Sequence, residues 1–149
     1  MTPLYIFDLD GTLALNGKRR YLVEGPKKDW KTFFGKCVDD EPNWPVIETV
    51  IRLDESFAEI WVFSGRSISV HAQTVGWCVK HKFNYAIDRL VMRPAEDYRS
   101  DVELKQQWLD EMTQEDRERL VAVFDDRQCV VDMWRRNGIA CFQVAPGDF

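Results

Sequence analysis

The chain has little of what disulfide or zinc frameworks need: four cysteines and two histidines in 149 residues. Cys37, Cys78, Cys129 and Cys141 never fall at the close spacing of a zinc knuckle, and only His71 and His81 could supplement them, so neither framework is indicated. Cys129 and Cys141 lie in strongly apolar segments, which predicts both as small buried residues. No apolar run approaches the roughly 18 residues that a membrane span needs. Met1-Thr2-Pro3-Leu4 lacks the basic-then-apolar layout of a signal peptide, so a cytoplasmic protein without a membrane partner is expected. Positive charge is also short. Twenty Lys and Arg stand against 25 Asp and Glu, and a net charge of −5 argues against a protein that coats long duplexes while leaving room for a local basic patch. Internal repeats, low-complexity tracts and long polar linkers are absent. With 45% apolar residues, residues 1–149 are expected to form one domain around one real core.

What is present alternates. Leu4–Phe7, Ile60–Phe63, Leu90–Met92, Leu120–Phe124 and Ile139–Val144 are short apolar runs rich in β-branched and aromatic residues, and read as five strands. Between them apolar residues recur at helical spacing: Val46, Ile47, Val50, Ile51; Val70, Thr74, Cys78; Leu104, Trp108, Leu109, Met112; and Val130, Val131, Trp134. Asn137-Gly138 reads as the stop of the last helix. Strands that are apolar throughout and separated by helices predict a doubly wound, Rossmann-like α/β sandwich with helices on both faces of a parallel sheet. Such sheets bind ligands at the carboxyl ends of their strands.

One stretch breaks the alternation. From about residue 13 to residue 45, Gly17, Gly25-Pro26, Gly35 and Asn43-Trp44-Pro45 punctuate a segment that reads as a small cap inserted after the first strand. Residues 18 to 36 hold seven basic residues against two acidic ones, a local charge of +5. Lys27, Lys28 and Lys31 alternate there with Tyr21, Trp30 and Phe33-Phe34, as a ligand with both phosphate and base would require. A solvated face over ordinary packing is the competing reading.

Chemistry gathers at the strand ends. The first strand runs into Asp8-Leu9-Asp10-Gly11-Thr12, where two carboxylates one residue apart reach a single site only if the chain turns after Leu9, as Gly11 permits. One carboxylate can attack phosphorus while the other handles a proton, and both can help to hold a hard divalent cation. The second strand is expected to end at Ser64-Gly65-Arg66, a hydroxyl, free N–H groups and a guanidinium suited to phosphoryl oxygens, although helix capping explains the same residues. At the fourth strand end, Asp125-Asp126 repel each other unless a cation or a basic partner neutralises them, or unless one simply caps the following helix. Lys105, one turn after Asp101, by itself predicts an ordinary surface ion pair.

Taken in order, Asp-x-Asp-Gly-Thr, then Ser64, then Lys105, then Asp125-Asp126 resembles the haloacid dehalogenase-like (HAD) hydrolase superfamily, with Asp10 pointing to its phosphatase branch. The flanks Ile6–Leu15, Val62–Arg66, and Asp125 through Met133-Trp134-Arg135-Arg136-Asn137-Gly138 to Gln143–Phe149 resemble the 3′-phosphatase domain of bacteriophage polynucleotide kinases. The likeness is weakest at residues 20–45 and 83–98. No Gly-x-x-x-x-Gly-Lys-Ser/Thr phosphate loop is present, so no kinase domain is expected. A phage-encoded member would act in host cytoplasm.

The resemblance implies Asp8 as nucleophile and magnesium ligand, and Asp10 as general acid/base with its backbone carbonyl on the metal. It also implies Ser64 and Lys105 on the phosphoryl group, with Asp125 and Asp126 completing the Mg2+ site. Arg66 and Asp101 match further family positions, as does Arg19, although Lys18-Arg19-Arg20 leaves that register open. Thr12, Gly65, Lys27, Lys28, Lys31 and Trp30 are the expected substrate contacts. The expected activity is magnesium-dependent removal of a 3′-phosphate from a DNA or RNA end through an aspartyl-phosphate. A nucleotidase acting on free mononucleotides is the alternative, and a non-catalytic binding module is the third reading.

Overall fold

A computed structural model describes every residue from Met1 to Phe149. Strand β1 (Leu4–Phe7) sits at its centre. Leu4 and Ile6 face one apolar cluster, while Phe7 faces the other. Strand β4 (Glu59–Ser67) alternates in the same way, Trp61 and Phe63 on one face and Ile60 and Val62 on the other. This two-sided burial explains why the runs read as continuously apolar. With β5 (Arg89–Arg93), β6 (Leu120–Asp125) and β7 (Cys141–Gln143), they form a five-stranded parallel sheet of order β5-β4-β1-β6-β7. Ile6 pairs with Trp61 on one side and with Val123 on the other.

Helices α2 (Trp44–Glu55) and α3 (His71–Lys80) cover the Phe7 face through Val46, Ile47, Val50, Trp77 and Cys78. On the Leu4 face, α4 (Asp101–Glu111) and α6 (Gln128–Arg136) contribute Leu104, Trp108, Leu109, Val130, Val131, Met133 and Trp134. Gly138 adopts φ +76°, and the Ile139 N–H turns back onto the Trp134 carbonyl at 3.1 Å. Ile139 thus closes α6, and β7 is shorter than the apolar run around it.

Between β2 (Ala14–Leu15) and β3 (Glu41–Pro42), which pair antiparallel, lies the basic segment. It carries the short helix α1 (Trp30–Gly35), whose N-cap Asp29 accepts from the Thr32 N–H at 3.0 Å. Two expectations need correction, and one helix was not expected. Strand β4 does not end at Ser64. It resumes pairing at Ser67, with Gly65 and Arg66 bulged out of the ladder. Cys129 is exposed because it lies on the outer side of amphipathic α6, whereas Cys141 is buried. Helix α5 (Gln114–Arg119) has no apolar residue to reveal it and is marked only by its Thr113 cap.

Candidate active site

The floor of the site is made where β1 stops. The Asp8 N–H donates to the Phe124 carbonyl at 2.8 Å, and the Leu9 carbonyl then receives the N–H groups of Thr12, Leu13 and Ala14. This tight turn needs Gly11, which has φ +86°. A Cβ there would stand 2.1 Å from an Asp126 carboxylate oxygen. The turn brings Asp8 and Asp10 to one cavity. The Thr12 hydroxyl, itself buried, donates to Asp8 Oδ2 at 3.1 Å.

Opposite stands Lys105, carried by α4. A capping box between Ser100 and Glu103 starts that helix and fixes where its first turn begins. Lys105 is 1% exposed, and its Nζ donates to Asp8 Oδ1 and to Asp125 Oδ2, each at 2.7 Å. The surface pair expected from the four-residue spacing does not form, because Lys105 turns inward to two strand ends. Asp101 instead accepts from Arg93 Nη2 at 2.5 Å and from Arg127 Nη1 at 3.1 Å.

Asp8, Asp125 and Asp126 are all buried, and carboxylate oxygens of the three lie within 4.8 Å of one another. Burial lifts the Asp8 carboxyl well above the ordinary range, and Asp125 adds to the rise while Lys105 opposes it. Asp126 is pushed up to about 6, again by burial first and then by Asp125. Lys105 is held protonated: burial works against its charge, but Asp125 and Asp8 outweigh it. One ammonium facing three close carboxylates leaves negative charge unbalanced, and the donor set is wholly oxygen. The residues therefore fit a hard divalent cation. Asp10 does not add its carboxylate to that group.

Asp10 is held elsewhere. Arg66, from the β4 bulge, donates to its Oδ1 at 2.6 Å and its Oδ2 at 3.3 Å, and Arg19 donates to Oδ1 at 2.6 Å. Burial alone would raise the Asp10 carboxyl, but the two guanidiniums prevail and hold it below its ordinary value. Both arginines are themselves buried. Asp40, which the sequence reading did not single out, anchors them. It accepts from Arg19 Nε at 2.8 Å and Nη2 at 2.7 Å, and from Arg66 Nη2 at 3.4 Å. Of the three consecutive basic residues, Arg19 is the one turned to the site; Lys18 pairs with Glu41, and Arg20 lies over the Phe149 ring.

Above these groups opens a cavity of about 1080 Å³. Asp8, Asp10, Gly65, Asp101, Lys105, Asp125 and Asp126 line it, with Lys28, Trp30 and Lys31 from the inserted segment. Thr12, Arg19, Ser64 and Arg66 lie behind that lining: Thr12 bonds to Asp8, the arginines bond to Asp10, and the Ser64 hydroxyl accepts the Arg66 N–H at 3.1 Å. Lys27 is exposed and lies outside the cavity wall. Gly65 admits Asp101, since a Cβ on it would be 2.3 Å from Asp101 Oδ1. Arg20, Arg93 and Arg127 add positive charge to the wall.

Residues 2–149 match the family model for the polynucleotide kinase PNKP phosphatase domain. A protein of Autographa californica nuclear polyhedrosis virus, named as a bifunctional polynucleotide kinase/RNA ligase, is 35% identical over 86% of this chain. A chain of the Pnkp1/Rnl/Hen1 RNA repair complex superposes with a TM-score of 0.82 at 32% identity, over 99% of this chain and 44% of that one. The tungstate-bound class C acid phosphatase of Bacillus anthracis shares the fold alone, with TM-score 0.67 and 14% identity over 99% of this chain and 67% of that one. The chain spans 17% of the viral relative and less than half of the repair-complex chain.

Proposed function

Because the chain belongs to the polynucleotide kinase phosphatase-domain family of HAD hydrolases, we propose that it is a magnesium-dependent phosphomonoesterase that removes a 3′-phosphate from a nucleic-acid end. The observation that carries this reading is the setting of Asp8. A buried carboxylate, fixed by the Thr12 hydroxyl and the Lys105 ammonium, lies beneath a cavity walled by lysines, arginines and aromatic rings. The likeness to a viral protein named as a polynucleotide kinase/RNA ligase and to a chain of an RNA repair complex supports a nucleic-acid end as the ligand for that wall.

In the proposed reaction an Asp8 carboxylate oxygen attacks phosphorus in line with the departing ester oxygen. The phosphorus–ester bond breaks as the aspartyl-phosphate forms, and Asp10 delivers a proton to the leaving alkoxide. Asp10 then takes a proton from the water that attacks the phosphorus of this intermediate, which releases inorganic phosphate and restores Asp8. Lys105 sits beside the Asp8 carboxylate and balances charge on the phosphoryl group, while Ser64, fully buried behind the lining, holds the β4 bulge through the Arg66 N–H. Arg19 and Arg66 work through Asp10: they fix its orientation and lower its proton affinity, so the first step draws on its minor protonated form and the water-activating second step on its prevailing carboxylate. Asp8, Asp125 and Asp126 would hold magnesium, with the Asp10 backbone carbonyl, and the ion would neutralise charge on the transferring oxygens. The inserted segment acts as a cap, with Lys28 and Lys31 placed for phosphates next to the terminus.

The test compares a 3′-phosphorylated oligonucleotide, its 5′-phosphorylated counterpart and a 3′-mononucleotide, each with magnesium, with calcium and after chelation. The 3′-end is expected to show the highest kcat/KM, with an advantage over the mononucleotide that shrinks as salt rises. Activity is expected to vanish on chelation, to return with magnesium, and to be inhibited by calcium, which prefers more ligands at longer distance. Equal cleavage of oligonucleotide and mononucleotide at low salt would favour a nucleotidase, and full activity after chelation would overturn the metal-assisted mechanism.

A further inference from the structure

The loop between β5 and α4, residues 94–100, is anchored on both sides of Tyr98. Arg93 donates from Nη1 to the carbonyls of Asp97 and Arg99 at 3.2 and 2.5 Å, and from Nε to the Gly65 carbonyl at 2.7 Å. The Arg99 guanidinium closes on the Asp97 carboxylate at 2.6 to 3.2 Å and also reaches Gln107 on α4. The Arg99 N–H adds a bond of 3.1 Å to Asp97 Oδ1, and Ser100 is held by its capping box. Between these anchored neighbours stands Tyr98, 89% exposed.

A ring that buries almost nothing gives the fold no packing, yet it is presented by a braced backbone on the wall of the same cavity that holds Asp8. Trp30, 46% exposed, lines that cavity from the inserted segment, with the Lys28 ammonium 5.9 Å from its ring centre. A ring carried on backbone that is already held in place leaves less to be ordered when a flat ligand stacks on it. The cavity is of the size that encloses small organic ligands. Every nucleobase offers a π-face, and stacking on an aromatic side chain discriminates a nucleoside from other phosphate esters without reading base identity.

We propose that Tyr98 is a specificity-determining residue that stacks on the base of the terminal nucleotide and so selects nucleoside 3′-phosphates over phosphate esters lacking a base. The proposal rests on the nucleic-acid-end reading above and sharpens it. Because the phenol ring rather than its hydroxyl does the stacking, Tyr98→Phe retains the selectivity and Tyr98→Ala loses it. Tyr98 is exposed and supports no packing, so both variants fold.

The experiment measures kcat/KM for a 3′-phosphorylated oligonucleotide and for the same strand with an abasic terminal nucleotide, in the wild type and both variants. The wild type and Tyr98→Phe are expected to favour the base-bearing end by roughly five- to hundredfold, the span that one base–aromatic stack supports. In Tyr98→Ala that preference collapses towards one, mainly through KM. A preference that survives intact in Tyr98→Ala, or is lost equally in Tyr98→Phe, overturns the role of Tyr98 while leaving the 3′-phosphatase reading in place. If neither oligonucleotide is hydrolysed better than a simple aryl phosphate, the nucleic-acid-end reading falls and this proposal falls with it.

Discussion

Asp40 lies outside the wall of the large cavity and yet decides where two guanidiniums stand. Through its bonds to Arg19 and Arg66 it sets the direction from which both grip Asp10. In Asp40→Ala two buried arginines are left sharing one carboxylate, and breaking a buried ion network by removing one partner costs about 3–5 kcal/mol. A lowered urea midpoint together with strong loss of phosphatase activity is expected, whereas a variant as stable and active as the wild type would show that Asp10 is positioned without it. Asp40 was invisible in the sequence for a local reason. It lies in the charged run Asp39-Asp40-Glu41, which reads as solvated surface, and its partners are 21 and 26 residues away. Asp8, Asp10, Asp125 and Asp126 were legible because a strand end announces them. Arg66 was legible at its strand end, whereas Arg19 came only from the family resemblance with its register open, and that both bond to Asp10 is a fact of the fold.

Elements set the tolerances within which those residues work. The bulge in β4 exists because Gly65 leaves the ladder, and its missing Cβ is the room into which Asp101 fits. Asp101 begins α4, so a methyl at position 65 pushes on the helix that carries Lys105 to Asp8. Gly65→Ala is accordingly expected to lower kcat at least tenfold, as small misplacements of reacting groups do, with a smaller effect on the melting temperature. Unchanged kcat would mean that α4 absorbs the displacement without moving Lys105. The strands and the long helices were readable because each carries an apolar face of the proper period. Helix α5, Gln-Glu-Asp-Arg-Glu-Arg, has no such face, and the Ser64–Ser67 bulge is a pairing event rather than a sequence pattern.

At the scale of the molecule, the three close carboxylates store charge that the polypeptide by itself tolerates poorly. Asp126 is raised to about 6 and Asp8 is raised too, by burial and by Asp125. The folded state therefore takes up protons more readily than the unfolded chain. The stability these two groups contribute is present below about pH 4 and is lost as pH rises through about 6. His81, which burial lowers, works in the opposite direction but is one partly exposed group against two. In the presence of chelator the melting temperature is expected to fall between pH 5 and pH 7, and excess magnesium is expected to restore it at pH 7. A flat profile in chelator, or no shift with magnesium, would contradict that balance.

The strand order carries a consequence for how the polypeptide comes into being. Leu4–Phe7 precedes both of its sheet neighbours in the chain, yet it is the middle of the finished sheet, clasped by Glu59–Ser67 on one side and by Leu120–Asp125 on the other. Its apolar side chains must wait until more than a hundred residues have followed before both neighbours exist. Lys105 meets Asp8 across 97 residues, so the pocket closes only when the whole sheet does. Slow folding, a nascent chain that needs shelter, and catalytic competence that arrives all at once are what this topology imposes.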